Sequence, residues 1–435
     1  MTALVASEAN HRYVLAPWSV QGSLDMPSID RAEGVYLYDT AGKRYLDLSA
    51  GLVAVNLGHG NEHVADAISA QAKRLCYASP QFFNDERSRL AQRLCESGPW
   101  SEGARTFFTT GGGEANEDAV KMARAITGRH KVLTAYRSFH GSAPGAGSLT
   151  GENRRWANEP GIPGVVRFFA PFPYRSPFDT RDPQTEVRRA LDHIELICTY
   201  EDPSRIAALL IEPVVGTNGA IVYPQGYLDG LRELCTRYGI VLIFDEVMCG
   251  FGRTGAAFAS QRLGVTPDII TFAKAVTSAY IPLGGVMVRE SLAATFDSKP
   301  LPCGHTFSGH PLAMAAANAA LDEYERMGLY RRAIEIERWL REGLDRVMQR
   351  APVVGDARGI GAFFAIELVC DRESREPVVP WQGRDAGPLP GILAKLRERG
   401  VYAFGRYNLI LITPPLTIER HELDEGLDAL AAVLA

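Results

Sequence analysis

The stretch GVYLYDTAGKRYLDLSAG sets Val35 and Leu37 against Tyr36 and Tyr38, places turn residues at 39–42, and resumes with Tyr45, Leu46 and Leu48. Period-two alternation broken by turn formers predicts a β-hairpin. In EHVADAISAQAKRL the period changes, and Val64, Ala67, Ile68 and Leu75 recur at helical spacing. From about residue 105 to 287, short apolar runs (TFFTT, KVLTAY, AALLIEPVV, IVLIFDEV, IITFA, GGVMV) alternate with helix-length segments. Such runs predict a largely parallel sheet covered on both faces. Residues 310 to 350 predict one or two long helices interrupted near Gly328. The tail carries the strands GAFFAIELV and LILIT and then a closing helix. The expected architecture is α/β: a large domain over 63–314 with a mainly parallel sheet flanked by helices, and a smaller α+β domain formed by 1–62 and 315–435. The Pro- and Gly-rich stretch at 377–391 reads as a mobile surface loop.

With 435 residues, 46% hydrophobic and 22% charged, the chain can bury a large core and hold more than one structural unit. A net charge of −5 with scattered Lys and Arg offers no basic stripe, so no nucleic-acid partner is expected. No apolar segment reaches the length of a membrane span, and the start MTALVASEANHRYVLAPW lacks the basic-then-apolar order of a secretory signal. A cytoplasmic protein with no membrane association is the expectation. Its seven cysteines include no Cys-x-x-Cys pair, which suits reduced, packed thiols. Cys249 and Cys303 lie near the motifs below, but no base partner is evident and both read as structural.

Three features could carry chemistry. In PDIITFAKAVTSAYIPLGG, Lys274 stands among Ile269, Ile270, Phe272, Ala273, Ala275 and Val276. Either its stem lies on apolar surface with the ammonium in water, or burial lowers its pKa and makes it a nucleophile. In YGIVLIFDEV, Asp245 follows five apolar residues, at the strand end where α/β sheets bind ligands; a helix cap is the equal alternative. In FFTTGGGEANEDAVKMARAI a strand runs through three glycines into a helix whose Ala115, Ala119, Met122, Ala123 and Ile126 share a face. Glycines there let a phosphate approach the amides of a helix N-terminus, although a tight turn would need them too. Neither common nucleotide-binding glycine pattern is present. A lysine, a carboxylate and a phosphate cradle together fit pyridoxal 5'-phosphate (PLP), which offers an aldehyde, a ring nitrogen and a phosphate.

With these in place, the chain resembles class III aminotransferases of PLP fold type I over essentially its whole length. The motifs YRSFHG (136–141), IEPVVG (211–216), DEVMCGFGRTG (245–255), FAKAVTSAYIPLGG (272–285) and GHTFSGHPLAMAAA (304–317) occur in family order. The resemblance implies that Lys274 bonds the cofactor aldehyde and then shuttles a proton. It makes Asp245 the partner of the ring nitrogen, and Val247 and Phe139 the residues on the two ring faces, with His140 beside Phe139. Glu212 belongs to the same acid network, and Gly112 and Gly113 to the phosphate turn. Gly111 and Gly113 replace the two serines common in the family, removing side-chain hydroxyls from the cradle. Thr306 matches a threonine that reaches the phosphate held by a neighbouring subunit, implying a homodimer with shared active sites; pairing of dimers into tetramers stays open. His305 and His310 have no acid or Cys at ligand spacing, and no metal is expected.

For the substrates, the resemblance places Arg406 where many members bind a carboxylate; an exposed loop arginine is the alternative. Leu52 and Val53 fall at the pocket wall, Val53 replacing an aromatic residue of many ω-transaminases, and Trp18 is either an aromatic wall or a core anchor. Met248 stands where ornithine- and GABA-type members often have Gln. The implied activity is a ping-pong transfer of an amino group from an ω-amino acid, taurine or related amine to a 2-oxo acid, pyruvate being the one expected. A class III aminomutase or decarboxylase, or a non-catalytic binding protein of the same fold, are the alternatives.

Overall fold

Strand Ile206–Ile211 is buried at all six positions, as are both faces of Val241–Asp245 and Ile269–Ala273. Unbroken apolar runs of this kind form strands only where both faces are covered, so they come together as the middle of one sheet. The computed structural model describes residues 6–381 and 387–435; part of the loop expected at 377–391 lies outside them.

In chain order, the strands begin with β1 (Ile29–Glu33), β2 (Tyr36–Asp39) and β3 (Arg44–Asp47), an antiparallel set that contains the expected hairpin. Next come β4 (Ala104–Thr109), β5 (Lys131–Ala135), β6 (Val165–Phe168) and β7 (Ile206–Ile211), then the short ribbon β8 (Val214–Val215) and β9 (Ile221–Val222). The central region closes with β10 (Val241–Asp245), β11 (Ile269–Ala273) and β12 (Gly284–Arg289). The tail holds β13 (Val354–Ile360), β14 (Phe363–Leu368), β15 (Val401–Tyr402), β16 (Phe404–Arg406) and β17 (Leu409–Ile412).

Seven strands make the central sheet in the order β4-β12-β11-β10-β7-β5-β6. Only β12 runs against its neighbours, pairing antiparallel with both β11 and β4. Consequently β4, β5, β6, β7, β10 and β11 all point the same way, and their carboxyl ends open on one edge of the sheet, where ligands bind in such folds. The tail strands form a separate sheet, β13-β14-β17-β16, while β15 joins β3 in parallel and so ties the C-terminal segment to the N-terminal hairpin.

The expected helical region after residue 310 is two helices, Pro311–Arg326 and Leu329–Arg350, and Gly328 turns the chain between them at φ +62°. The boundary expected at 314–315 thus falls inside a continuous helix. That helix packs against the helices Glu62–Arg74 and Asp85–Ser97, whereas Leu329–Arg350 packs on the closing helix Arg420–Leu434 and on β13.

Arg253, fully buried, joins these units. Its Nη1 donates to the carbonyls of Ala362 (3.1 Å) and Pro414 (2.6 Å), and its Nη2 to Asn56 Oδ1. Asn56 in turn donates to the Phe251 carbonyl at 2.9 Å and accepts the Leu416 amide at 2.8 Å through its own carbonyl. Burial pushes the guanidinium down to about 10. Arg253→Met leaves three buried acceptors unpaired, at about 1–3 kcal/mol each. Urea unfolding of the variant is expected to show a loss of at least about 3 kcal/mol; a loss below about 1 kcal/mol would mean that the junction is held elsewhere.

Candidate active site

The site forms where the aligned strands end. Lys274 follows β11 directly and leaves it at φ +52°, starting a single tight turn over Lys274–Thr277. A left-handed conformation costs a non-glycine residue about 1–3 kcal/mol, and its effect here is to swing the side chain off the strand into a cavity. That cavity has a volume of about 360 Å³ and is lined by Lys274, Asp245, Glu212, Phe139, Val247 and the 111–113 glycines among others. Among the described residues, Lys274 Nζ has no hydrogen-bond partner. Burial pulls its pKa down to about 8; the carboxylates of Asp245 and Glu212 act in the opposite direction, and the Arg154 guanidinium reinforces the lowering.

Asp245 ends β10 and is almost fully buried. Its Oδ2 accepts from Asn116 Nδ2 and pairs with His140 Nδ1, each at 2.7 Å, while Oδ1 accepts the Val247 amide at 3.1 Å. Asn116 is itself fixed: it donates to the His140 carbonyl at 2.8 Å and accepts from Thr271 Oγ1 at 2.7 Å. A carboxylate gripped on two sides presents its remaining acceptor capacity in one direction. Glu212, the residue after β7, accepts the Phe139 amide at 2.8 Å and the Gly216 amide at 2.6 Å. Burial raises its pKa to about 7, Asp245 adds to the rise and His140 opposes it. Two acids from adjacent strands therefore fix the consecutive residues Phe139 and His140. His140 Nε2 is buried without a partner in a wall of the cavity.

Helix Gly112–Thr127 aims its N-terminus at the same cavity. A Cβ on Gly112 would lie 2.7 Å from Val247 Cγ2, so only glycine lets the backbone amides come this close to Val247. Gly111 is different. It is the N-cap in extended geometry, and a Cβ there meets nothing within 4 Å; at Gly113 the nearest atom would be Gly141 Cα at an ordinary 3.6 Å. The absent serines at 111 and 113 are thus not excluded by space. Glu114 folds back to accept from the Thr110 amide (2.8 Å) and hydroxyl (2.7 Å), closing the turn.

Of the residues singled out from sequence, Lys274, Asp245, Glu212, Phe139, His140, Val247, Gly112 and Gly113 meet in this one cavity. Trp18 stands edge-on to Phe139 with ring centroids 6.5 Å apart, although it is mostly exposed. Val53 is buried against Met248, which lines the cavity, whereas Leu52 faces outward. Thr306 is exposed and outside the cavity, its carbonyl held by the Tyr77 hydroxyl at 2.8 Å. Arg406 is outside it as well: its Nη2 pairs with buried Glu152 at 2.8 Å and donates to Asn153 Oδ1 at 2.7 Å. The expectation of an arginine free to meet substrate meets a competitor here, because a buried carboxylate already holds that guanidinium.

Two contributors went unnoticed in the sequence. Asn116 shares a helix face with Gly112, Ala119 and Ala123, and a polar residue on that apolar face was the available signal. Arg154 sits with its guanidinium carbon 3.5 Å from the Phe139 ring centroid and 5.5 Å from that of Trp18, pairs with Glu152, and donates to Thr217 Oγ1 at 3.0 Å. Nothing in ENRRWANE distinguishes it from its neighbours.

A family model described as aminotransferase class III matches residues 20–434, and the chain belongs to that family. It is 34% identical over 412 residues to the uncharacterized aminotransferase YhxA of Bacillus subtilis, covering 90% of this chain and 88% of that one. Identity to the taurine–pyruvate aminotransferase of Bilophila wadsworthia is 33%, covering 91% and 89%. The solved taurine:2-oxoglutarate aminotransferase of Bifidobacterium kashiwanohense, in complex with PLP and glutamate, superposes with a TM-score of 0.95 at 41% identity, over 100% of this chain and 98% of that one. The protein is a PLP-dependent enzyme of fold type I. The cavity suits the cofactor: it holds an unpaired amine, a clamped carboxylate, an orphan imidazole nitrogen and a helix N-terminus that a Cβ would block.

Gly111→Ser is expected to lower the PLP dissociation constant about tenfold, the worth of one hydrogen bond to a charged acceptor; Gly112→Ala should raise it by more. Equal behaviour of the two variants in equilibrium dialysis would contradict the cradle. In the cofactor-free protein, acylation of Lys274 by acetic anhydride should increase about tenfold per pH unit up to about 8 and then level off, because only the neutral amine reacts. A midpoint near 10, read by peptide mass spectrometry, would mean that the amine is hydrated.

Proposed function

We propose that Lys274, Asp245, Glu212, His140, Phe139, Val247 and the turn at Gly112 and Gly113 hold PLP, and that the enzyme moves an amino group from taurine or another ω-amino acid to pyruvate. When bound, PLP supplies an electron-withdrawing ring that stabilises negative charge at the donor's amino-bearing carbon. Asp245 holds a hydrogen-bonded proton at the ring nitrogen, and the Asn116–His140 clamp keeps its carboxylate on that line. Phe139 and Val247, both in the cavity wall, would confine the ring. Lys274 Nζ, its pKa lowered by burial, would hold the cofactor at its aldehyde and, once free, would take and return the proton at the donor's amino-bearing carbon. The walls Ile281, Pro282 and Leu283 restrict water access on that side.

One observation carries the substrate assignment: two arginines, Arg154 and Arg406, share a single buried carboxylate, Glu152. Among the described residues, one positive charge is left over beside Phe139, and Arg406 Nη1 is buried without a partner. An incoming sulfonate or carboxylate balances the set. Taurine, β-alanine and pyruvate each carry such a group. The exposed aromatic residues Trp18, Phe82, Phe83 and Phe307 offer apolar surface for a second copy of the chain, whose Thr306 would approach the phosphate of this site.

Arg154→Gln should raise KM for taurine and pyruvate about tenfold or more, the value of a charge-assisted hydrogen bond, while leaving an uncharged alkylamine within about twofold. Arg406→Gln should give the smaller effect of the two. Equal losses for the anionic donor and the alkylamine, or no loss in either variant, would reject the assignment. Lys274→Ala should cost at least about a hundredfold in kcat with every donor.

A further inference from the structure

A second cavity of about 310 Å³ shares no lining residue with the catalytic one. Its walls include Tyr136, Arg137, Phe169, Phe172, Arg175 and Trp381. Arg137 leaves the end of β5 at φ +63°, a conformation unfavourable for a side chain of this size, and the strain places its guanidinium against aromatic rings. The guanidinium carbon lies 3.9 Å from the Trp381 ring centroid and 5.1 Å from that of Phe172. Among the described residues, no carboxylate or hydrogen-bond acceptor pairs with this side chain.

The surrounding charges do not compensate it. Arg175 and Arg358 divide the nearby acids: Arg175 Nε pairs with Glu367 Oε1, Arg358 Nη2 lies 2.7 Å from Glu367 Oε2, and Arg358 Nη1 lies 2.6 Å from Asp356 Oδ2. Among the described residues, three guanidinium groups thus face two carboxylates. Among the described residues, Arg175 Nη2, in the cavity wall, is buried with no partner. Arg358 stacks on Phe172 as well, 4.7 Å from its centroid, so the ring carries two cations. Burial pushes the Arg137 guanidinium down to about 10, Glu367 opposes this, and Arg358 and Arg175 reinforce it. A guanidinium pressed against aromatic rings without a carboxylate partner keeps its planar set of donors free, and an anion can take them bidentately.

The remaining walls are flat. Tyr136 and Phe169 lie with centroids 4.8 Å apart and planes 32° from parallel, and Trp381 closes another side. A bare inorganic anion would satisfy the arginines but leave these rings unused. We propose that this cavity is a binding site for a small planar organic anion of the arene-carboxylate class, its carboxylate on Arg137 and Arg175 and its ring against Tyr136, Phe169 and Trp381.

Benzoate titrated into the holoenzyme by calorimetry tests this, with benzamide and inorganic phosphate as controls. Benzoate should bind saturably, and both controls at least about tenfold more weakly. The affinity should fall about tenfold or more in Arg137→Gln and about threefold or more in Trp381→Ala. It should remain within about twofold in Arg154→Gln, which reports any binding in the catalytic cavity. If Arg137→Gln does not fold, Trp381→Ala carries the test. Absence of saturable benzoate binding, phosphate binding as tight as benzoate, or loss in Arg154→Gln with retention in Trp381→Ala would overturn the proposal.

Discussion

Everything in the candidate site depends on desolvating one amine at the end of a buried strand, so that it loses its proton far more readily than an ordinary lysine. Desolvation alone would lower the Lys274 pKa well below its ordinary value, and the nearby acids Asp245 and Glu212 restrain the shift so that it stops at about 8. Too little burial would leave a hydrated ammonium; removing the acids would drive the amine further from its ordinary range. The three groups come from the ends of β11, β10 and β7, neighbours in the sheet, and the register of those strands fixes their spacing. Pairing of Ile243 with Ile269 and with Leu210 leaves no freedom for one of them to slip alone.

The same economy runs through the second layer. Asn116, from the helix whose N-terminus lines the cavity, holds Asp245 and the His140 carbonyl together. Glu212 fixes the backbone of the aromatic residue next to His140. Arg154, stacked on that aromatic ring, shares Glu152 with Arg406, so the cofactor's surroundings and the positive charge assigned to the substrate are mechanically one unit. Beside each cavity lies a cluster in which, among the described residues, guanidinium groups outnumber the carboxylates they pair with: Arg154 and Arg406 on Glu152, and Arg137, Arg175 and Arg358 around Glu367 and Asp356.

Much of this was legible in the sequence where the signal is local. Period-two alternation marked the hairpin at β2 and β3, Gly328 marked the break between two long helices, and the apolar runs leading to Asp245 and Lys274 marked two strands whose ends meet in one cavity. The orientation of β12 was not legible, because a strand buried on both faces reads alike in either direction. β6 is short and half-buried, with Arg167 in its middle, and gave no clear run. The Arg154–Glu152–Arg406 set and the Arg137 cavity depend on residues that meet only after folding, some from more than two hundred positions apart; their charges look like any others along the chain.

The central claim is that this site takes an amino group from an anionic ω-donor. The direct measurement is the visible absorption of the holoenzyme as taurine, β-alanine and an uncharged alkylamine are added singly, with no 2-oxo acid present. Taurine and β-alanine should each convert the cofactor band in a single half-turnover at lower concentration than the alkylamine, and pyruvate should restore it with formation of alanine. A band that the alkylamine discharges as readily as the anionic donors, or that none of the three changes, would contradict the account.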